Sequence, residues 1–198
     1  MTDFRRIHAA GSVLSRLFLS SPVDTFVDSL FDVSMLDNWP LEDERSARGI
    51  VRLKQGPRDS KEALDHDHLY LFTGVSAPLA QPYESPYVTE DGLVFEDEVT
   101  MRVRELYTAF GLAVPNQGTF PDDHIGYEIA FVSTGCYEIG SGNAEAKAPT
   151  IEMFDEHLTR FAPQVIAAVR EHATTAVYQA LPDLTEGLLH EVNQFLHG

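Results

Sequence analysis

Apolar residues recur every three or four positions through nearly the whole chain, and that spacing constrains the fold more than any other feature. They fall at Ile7, Val13, Leu14, Leu17 and Phe18, at Val23, Phe26, Val27, Leu30 and Phe31, and at Val99, Val103, Leu106, Tyr107 and Phe110. Later come Ile125, Ile129 and Val132; Phe154, Leu158 and Phe161; the series Val165, Ile166, Val169, Ala173, Ala176 and Val177; and Leu184, Leu188, Val192 and Phe195. A 3.6-residue period places such positions on one face of a helix, whereas the two-residue alternation of a half-buried strand is nearly absent. The expected architecture is all-α, one domain over residues 1–198, with about eight to ten helices at ordinary helix lengths.

Local signals suggest where these helices begin and end. Ser21-Pro22 and Ala162-Pro163 put proline at a first helical position, and Asp183 with Glu186 has the spacing of a capping box. Gly74 and Gly111 suit left-handed helix ends, with Leu112 placed for the accompanying apolar contact. Residues 77–98, carrying Pro78, Pro82, Pro86 and Gly92, and residues 135–149, rich in Gly, Ser, Ala and Asn, are expected loops. The first contains Glu84, Glu90, Asp91, Glu96, Asp97 and Glu98 and no basic residue. Long loops inside a compact domain are more often functional than passive.

With 198 residues the chain can bury one sizeable core. Fourteen Lys and Arg against 31 Asp and Glu give a formal charge of −17, which opposes nucleic acid and anionic membranes and favours a cationic partner. The lone Cys136 makes neither an internal disulfide nor a multi-cysteine metal site. No run of 18 uncharged apolar residues is present, so no stable membrane insertion is expected. Asp3-Phe4-Arg5-Arg6-Ile7-His8 superficially resembles a twin-arginine export signal, but Ser12, Ser15 and Arg16 break the following apolar run. A cytoplasmic protein is the expectation.

The most informative stretch is Pro121-Asp122-Asp123-His124-Ile125-Gly126-Tyr127-Glu128, at the start of an amphipathic helix. On the structural reading Asp122 caps the helix, Asp123 complements its dipole and His124 is a first-turn residue. On the functional reading Asp123 and His124 are exposed in a groove, able to hold an arginine or a peptide backbone group by charge-assisted hydrogen bonds. Upstream stand Tyr70-Leu71-Phe72-Thr73-Gly74 and Pro82-Tyr83-Glu84-Ser85-Pro86-Tyr87. Leu71 and Phe72 read as core, while Tyr83, Glu84 and Tyr87 can wall a peptide groove.

These segments, in this order and spacing, resemble the TorD/DmsD-like cytoplasmic chaperones of molybdenum enzymes, also called redox enzyme maturation proteins. The resemblance spans roughly residues 64–180 and is strongest in the middle third. It extends weakly to His157-Leu158 with Phe161. It implies a TorD-like helical bundle, monomeric or homodimeric, without catalysis, cofactor or metal of its own. Its partners would be the twin-arginine signal peptide and apo catalytic subunit of a molybdoenzyme of the DMSO reductase family, held back from export until the cofactor is inserted. The family's Glu-Pro-x-Asp-His motif contributes to signal-peptide binding and is matched at Pro121, Asp123 and His124. The chain departs from it at Phe120, where the family commonly has glutamate. The implied peptide-binding residues are Asp123, His124, Pro121, Tyr83, Glu84 and Tyr87.

Two other readings remain open on the sequence. Asp65-His66-Asp67-His68 together with 122–124 offers transition-metal ligand types, as a helical metal-dependent phosphohydrolase would require. Residues two apart on one helix do not share a face, however, and a solvated helix start is the simpler account of 65–68. A non-catalytic helical adaptor with an acidic, solubilising surface is the third reading.

Overall fold

A computed structural model describes residues 3–74, 77–88, 98–114 and 121–198. Phe120, Glu90, Asp91, Gly92, Glu96 and Asp97 lie outside the described residues. Eleven α-helical elements follow in chain order: α1 Phe4–Leu19, α2 Asp24–Leu30, α3 Val33–Asp37, α4 Glu44–Gln55, α5 Lys61–His68, α6 Ser85–Val88, α7 Glu98–Ala109, α8 Ile125–Gly140, α9 Lys147–Glu152, α10 Thr159–His172 and α11 Ala176–His197. A π-helical turn, Leu69–Thr73, extends α5, and a second, Met153–Leu158, joins α9 to α10 without a break. The described chain thus makes ten helices and no strand, the all-α architecture expected from the periodicity.

Most of the apolar periods join one contiguous core running from Ile7 to Leu196, while Val23, 55% exposed, stays outside it. Helix α1 lies along α8, and α4 lies along α11, which also packs on α10. Tyr178, Phe18, Phe131 and Phe161 are the largest side chains wholly inside. Full burial of such a side chain stabilises by about 1.5–3 kcal/mol. Residues 59–67 fasten the start of α11. The Asp67 carboxylate accepts from the backbone N–H of Thr174 and Thr175 at 3.0 and 2.9 Å, and from Thr175 Oγ1 at 2.7 Å. Asp59 accepts from the N–H groups of Ala176 and Val177 at 3.1 and 2.9 Å, satisfying donors that a helix start leaves unpaired.

Several local expectations are corrected. Helix α2 starts at Asp24 behind Val23, so Pro22 precedes the helix instead of opening it. Pro163 lies inside α10, which continues from the π turn, instead of opening a helix. Asp183 lies within α11, where it faces Arg48, Arg52 and Arg170 at 3.5–3.9 Å. Tertiary ion pairing, not capping, explains that acidic residue. Gly74 and Gly111 do take positive φ, 72° and 69°, and Leu112 N–H donates to the Tyr107 carbonyl at 2.9 Å while its side chain is 41% exposed. The small residues of 135–149 mark close helix packing more than a loop. Helix α8 continues to Gly140, and a Cβ on Gly135 would lie 2.0 Å from Thr150 Oγ1.

The same small-residue logic sets the α1–α8 spacing, since a Cβ on Gly11 would stand 1.8 Å from Ser133 Oγ and 2.5 Å from Ser133 Cβ. Glycine to alanine inside a helix ordinarily stabilises by about 0.5–1 kcal/mol. Here the sign reverses: Gly11→Ala forces the helices apart and is expected to lower stability by about 1–3 kcal/mol. Denaturant unfolding of the two proteins checks this, and an equal or higher midpoint for the variant contradicts it.

Candidate functional site

The stretch 121–128 and the segment 82–87 meet in space. Tyr83 and His124 form an isolated antiparallel bridge, framed by Glu84 N–H to the Asp123 carbonyl at 2.9 Å and Ile125 N–H to the Pro82 carbonyl at 2.8 Å. The Pro-Tyr-Glu-Ser segment is therefore a strap lying across the entrance to α8. Prolines bound it: Pro82 biases Gln81 toward extended backbone, and Pro86 lies in the first turn of α6, where its missing N–H breaks no helical bond.

One side chain fixes the strap. Asp123 Oδ2 accepts the Ser85 N–H at 2.7 Å, where α6 begins, and Oδ1 accepts Thr100 Oγ1 from α7 at 3.2 Å. Asp123 thus joins the strap, α7 and α8, and it is fully buried. His124 is the actual N-cap of α8: its Nδ1 accepts the Gly126 N–H at 3.0 Å, which leaves the ring proton on Nε2. Burial pushes its pKa down to about 3, so the ring is neutral at physiological pH. The Tyr83 ring meets it edge-on at 5.1 Å, and Tyr127 flanks it at 5.8 Å.

Two expectations are corrected here. Asp122 does not cap the helix. It is buried and takes a hydrogen bond from Arg104 Nε of α7 at 2.7 Å. Asp123 and His124 are not an exposed carboxylate–imidazole pair, since Asp123 is 0% and His124 8% exposed. Their polar atoms organise backbone, and the partly exposed members of the site are Pro121, Tyr83 and Tyr87. Tyr87 anchors its own segment by donating to the Gln81 carbonyl at 3.0 Å and packing near Phe161.

Beneath the strap lies a charge assembly that the sequence reading did not assemble. Glu84 is fully buried and accepts from His157 Nδ1 at 2.9 Å. His157 comes from the π turn that joins α9 and α10, and no local pattern announces such a wide turn. Its pairing with Glu84 explains a residue otherwise read as incidental. Glu128, one turn into α8, is fully buried, and neither carboxylate oxygen has a hydrogen-bond partner among the described residues. Burial, with Glu84 and Asp123 nearby, holds its pKa well above the usual carboxylate range. Burial also raises Asp123 despite its hydrogen bonds, and raises Tyr107, whose hydroxyl lies within the field of Glu128, Asp122 and Asp123. Among the described residues, the buried Asp122 is paired with Arg104 and the buried Glu84 with His157, while Glu128 has no hydrogen-bond partner and is held toward its protonated form by burial.

The other histidine–aspartate stretch disperses. Asp65 pairs with Lys61 and Ser21, His66 stacks on Tyr70, Asp67 holds residues 174–175, and His68 faces the Phe18 carbonyl. Asp67 is 3% exposed, so this is no purely solvated helix start. Among the described residues no three His, Cys, Asp or Glu side chains gather as a metal site, and no helix is long and apolar enough to cross a membrane.

The strap pinned over a Pro-Asp-Asp-His helix start thus sits within an all-helical bundle. The family model described as nitrate reductase delta subunit matches residues 37–167, and the chain belongs to that family. It is similar to the chaperone protein YcdY of Escherichia coli (strain K12), with 24% identity over 178 residues covering 87% of this chain and 86% of that protein. The fold is similar to a solved structure described as a redox enzyme maturation protein from Archaeoglobus fulgidus, with a TM-score of 0.50 and 22% identity over 91% of this chain and 93% of that one. The family resemblance read from the motifs is thereby borne out.

The raised pKa of Glu128 carries a definite sign. A carboxyl that holds its proton more tightly when folded contributes stability below its unfolded value, and that contribution is lost as pH rises through the folded value. Glu128→Gln keeps the shape and cannot ionise. From pH 5 to pH 8 the parent should therefore lose more stability than the variant, and the variant should be the more stable at pH 8. Urea titrations across that range decide it, and parallel pH profiles contradict the assignment.

Proposed function

We propose that the chain is a cytoplasmic, non-catalytic chaperone, acting as one domain, which binds the twin-arginine signal peptide and apo catalytic subunit of a molybdoenzyme. Binding would hold back export until the cofactor is inserted. The observation that supports this most directly is the strap: the Pro-Tyr-Glu-Ser segment and the Asp-His helix start, read separately as peptide-binding motifs, are one hydrogen-bonded unit. In this reading Tyr83, Tyr87 and Pro121 present the contact surface, while Asp123, Glu84 and His124 hold it from beneath. The acidic surface steers a cationic peptide toward the strap, and the helices supply the apolar surface for the segment that follows. Family membership supports a role beside a redox enzyme. The scattered directions of the 65–68 side chains give the phosphohydrolase alternative no support.

A peptide with Arg-Arg before an apolar segment should bind more tightly than its Lys-Lys or Ala-Ala analogue. Arginine's planar fork engages a carboxylate through two hydrogen bonds, whereas lysine is a compact point charge. The comparison belongs near physiological salt, where the screening length is about 8 Å and only close contacts remain strong. Calorimetry with the three peptides reads the order. Equal affinities would place recognition in the apolar segment or the enzyme body, and no binding by any would remove the main support for this function.

A further inference from the structure

Positive charge is scarce in this chain, and it is gathered in one place. Residues 44–61 carry six of the fourteen Lys and Arg and two of the 31 Asp and Glu, so the rest of the sequence is more acidic than the total of −17 conveys. Helix α4 lies in this stretch. It buries Ser46, Gly49, Ile50 and Leu53 and turns Ala47, Arg48, Val51, Arg52 and Gln55 outward, around a depression of about 440 Å³ that nothing among the described residues covers. Arg48 and Arg52 are four residues apart on one face and repel each other. A single carboxylate serves both: Asp183 of α11, 7% exposed, lies 3.5 Å from Arg48 Nη2 and 3.9 Å from Arg52 Nη2. The same carboxylate lies 3.7 Å from Arg170, which also pairs with Glu186 at 2.9 Å. Hydrogen bonds between guanidinium and carboxylate are ordinarily about 2.7–2.9 Å long, so Asp183 orients Arg48 and Arg52 without saturating them. The Arg52 side chain makes no hydrogen bond among the described residues, and Arg48 otherwise reaches only the Glu44 carbonyl of its own helix, at 3.5 Å. Both side chains are half exposed beside Val51, itself 48% exposed.

We infer that this face of α4 is a docking surface for an acidic segment of the apo catalytic subunit, with two carboxylates one helical turn apart on Arg48 and Arg52 and an apolar side chain over Ala47 and Val51. The inference rests on the proposed chaperone function and adds to it a second contact, on a different helix from the strap. Charge complementarity selects the occupant. Each planar guanidinium can take a carboxylate through two parallel hydrogen bonds. A patch one helix wide accepts a short acidic segment, whereas an extended anionic membrane would also face the strongly acidic remainder of the chain. Asp183 is a positioning residue here. Arg170 keeps it paired when Arg48 and Arg52 turn to the partner, so no buried carboxylate is orphaned. The strap draws a cationic segment and α4 an acidic one, so the two contacts do not compete.

The test titrates the full chain with a helix-forming peptide bearing two Glu one turn apart and Leu between them, and with its Gln analogue. The parent should favour the Glu peptide by about fivefold, the worth of two solvent-exposed ion pairs. Arg48→Gln/Arg52→Gln should lose that preference, while Lys54→Gln/Arg58→Gln, which removes the same charge from the same stretch off this face, should keep it. Equal binding of the two peptides to the parent, a preference that survives Arg48→Gln/Arg52→Gln, or one lost equally in the control variant overturns the inference. So does a parent that dimerises through this face in sedimentation, or one that binds phosphatidylglycerol vesicles through Arg48 and Arg52 and ignores the Glu peptide. Should the double variant fail to fold, Arg52→Gln alone decides: an undiminished preference overturns the surface. Affinity for the Arg-Arg peptide, measured on the same proteins, should be unchanged by Arg48→Gln/Arg52→Gln. A parent that binds the Arg-Arg peptide and not the Glu peptide loses the α4 surface and keeps the function, and a parent that binds neither loses both.

Discussion

The contact on which the site depends is the buried Asp123 carboxylate. It ties the N–H of Ser85 on the strap and the hydroxyl of Thr100 on α7 to the residue that precedes the cap of α8. A carboxylate taken out of water must be compensated by hydrogen bonds, and here those bonds come from two other segments of the chain. The strap cannot lift from α8 without leaving that carboxylate unsatisfied. The backbone bridge between Tyr83 and His124 and the caps around it follow from this anchoring.

The assembly also links the strap to the far side of the bundle. Glu84 reaches His157 in a π turn, and Phe154 and Asp155 of the same turn face α11, where Asp155 pairs with His197 at 3.0 Å. Wide turns of this kind inside helices are frequent at functional sites. The turn aims His157 inward at the strap, and any displacement of Glu84 changes the surroundings of this turn.

The fold was legible because helical period survives in sequence: Val103, Leu106 and Tyr107, or Ile125, Ile129 and Val132, are inside because they share a helix face. Boundaries were less so. Pro163 and Asp183 have the form of start signals, yet Pro163 lies inside a helix that continues from a π turn, and Asp183 faces three arginines from other segments. The site was legible as motifs but not as geometry. Asp123 and His124 were singled out, but nothing local says that one is wholly buried, that the histidine caps α8, or that Asp122 takes an arginine 18 residues upstream. Burial of acidic groups arises from packing between segments, and a local window cannot register it. A carboxylate in a first helical turn, such as Glu128, is ordinarily a dipole complement at the surface, and no local pattern marks its burial.

The central claim is that the strap and the helix start beneath it form one peptide-binding unit. Amide hydrogen exchange on the full chain, with and without a saturating Arg-Arg peptide, tests this most directly. New protection should concentrate in residues 82–88 and 121–128 and should be lost in Asp123→Asn, whose bundle stays folded. Protection confined to other helices, or protection at the strap that survives the Asp123 substitution unchanged, would contradict the account.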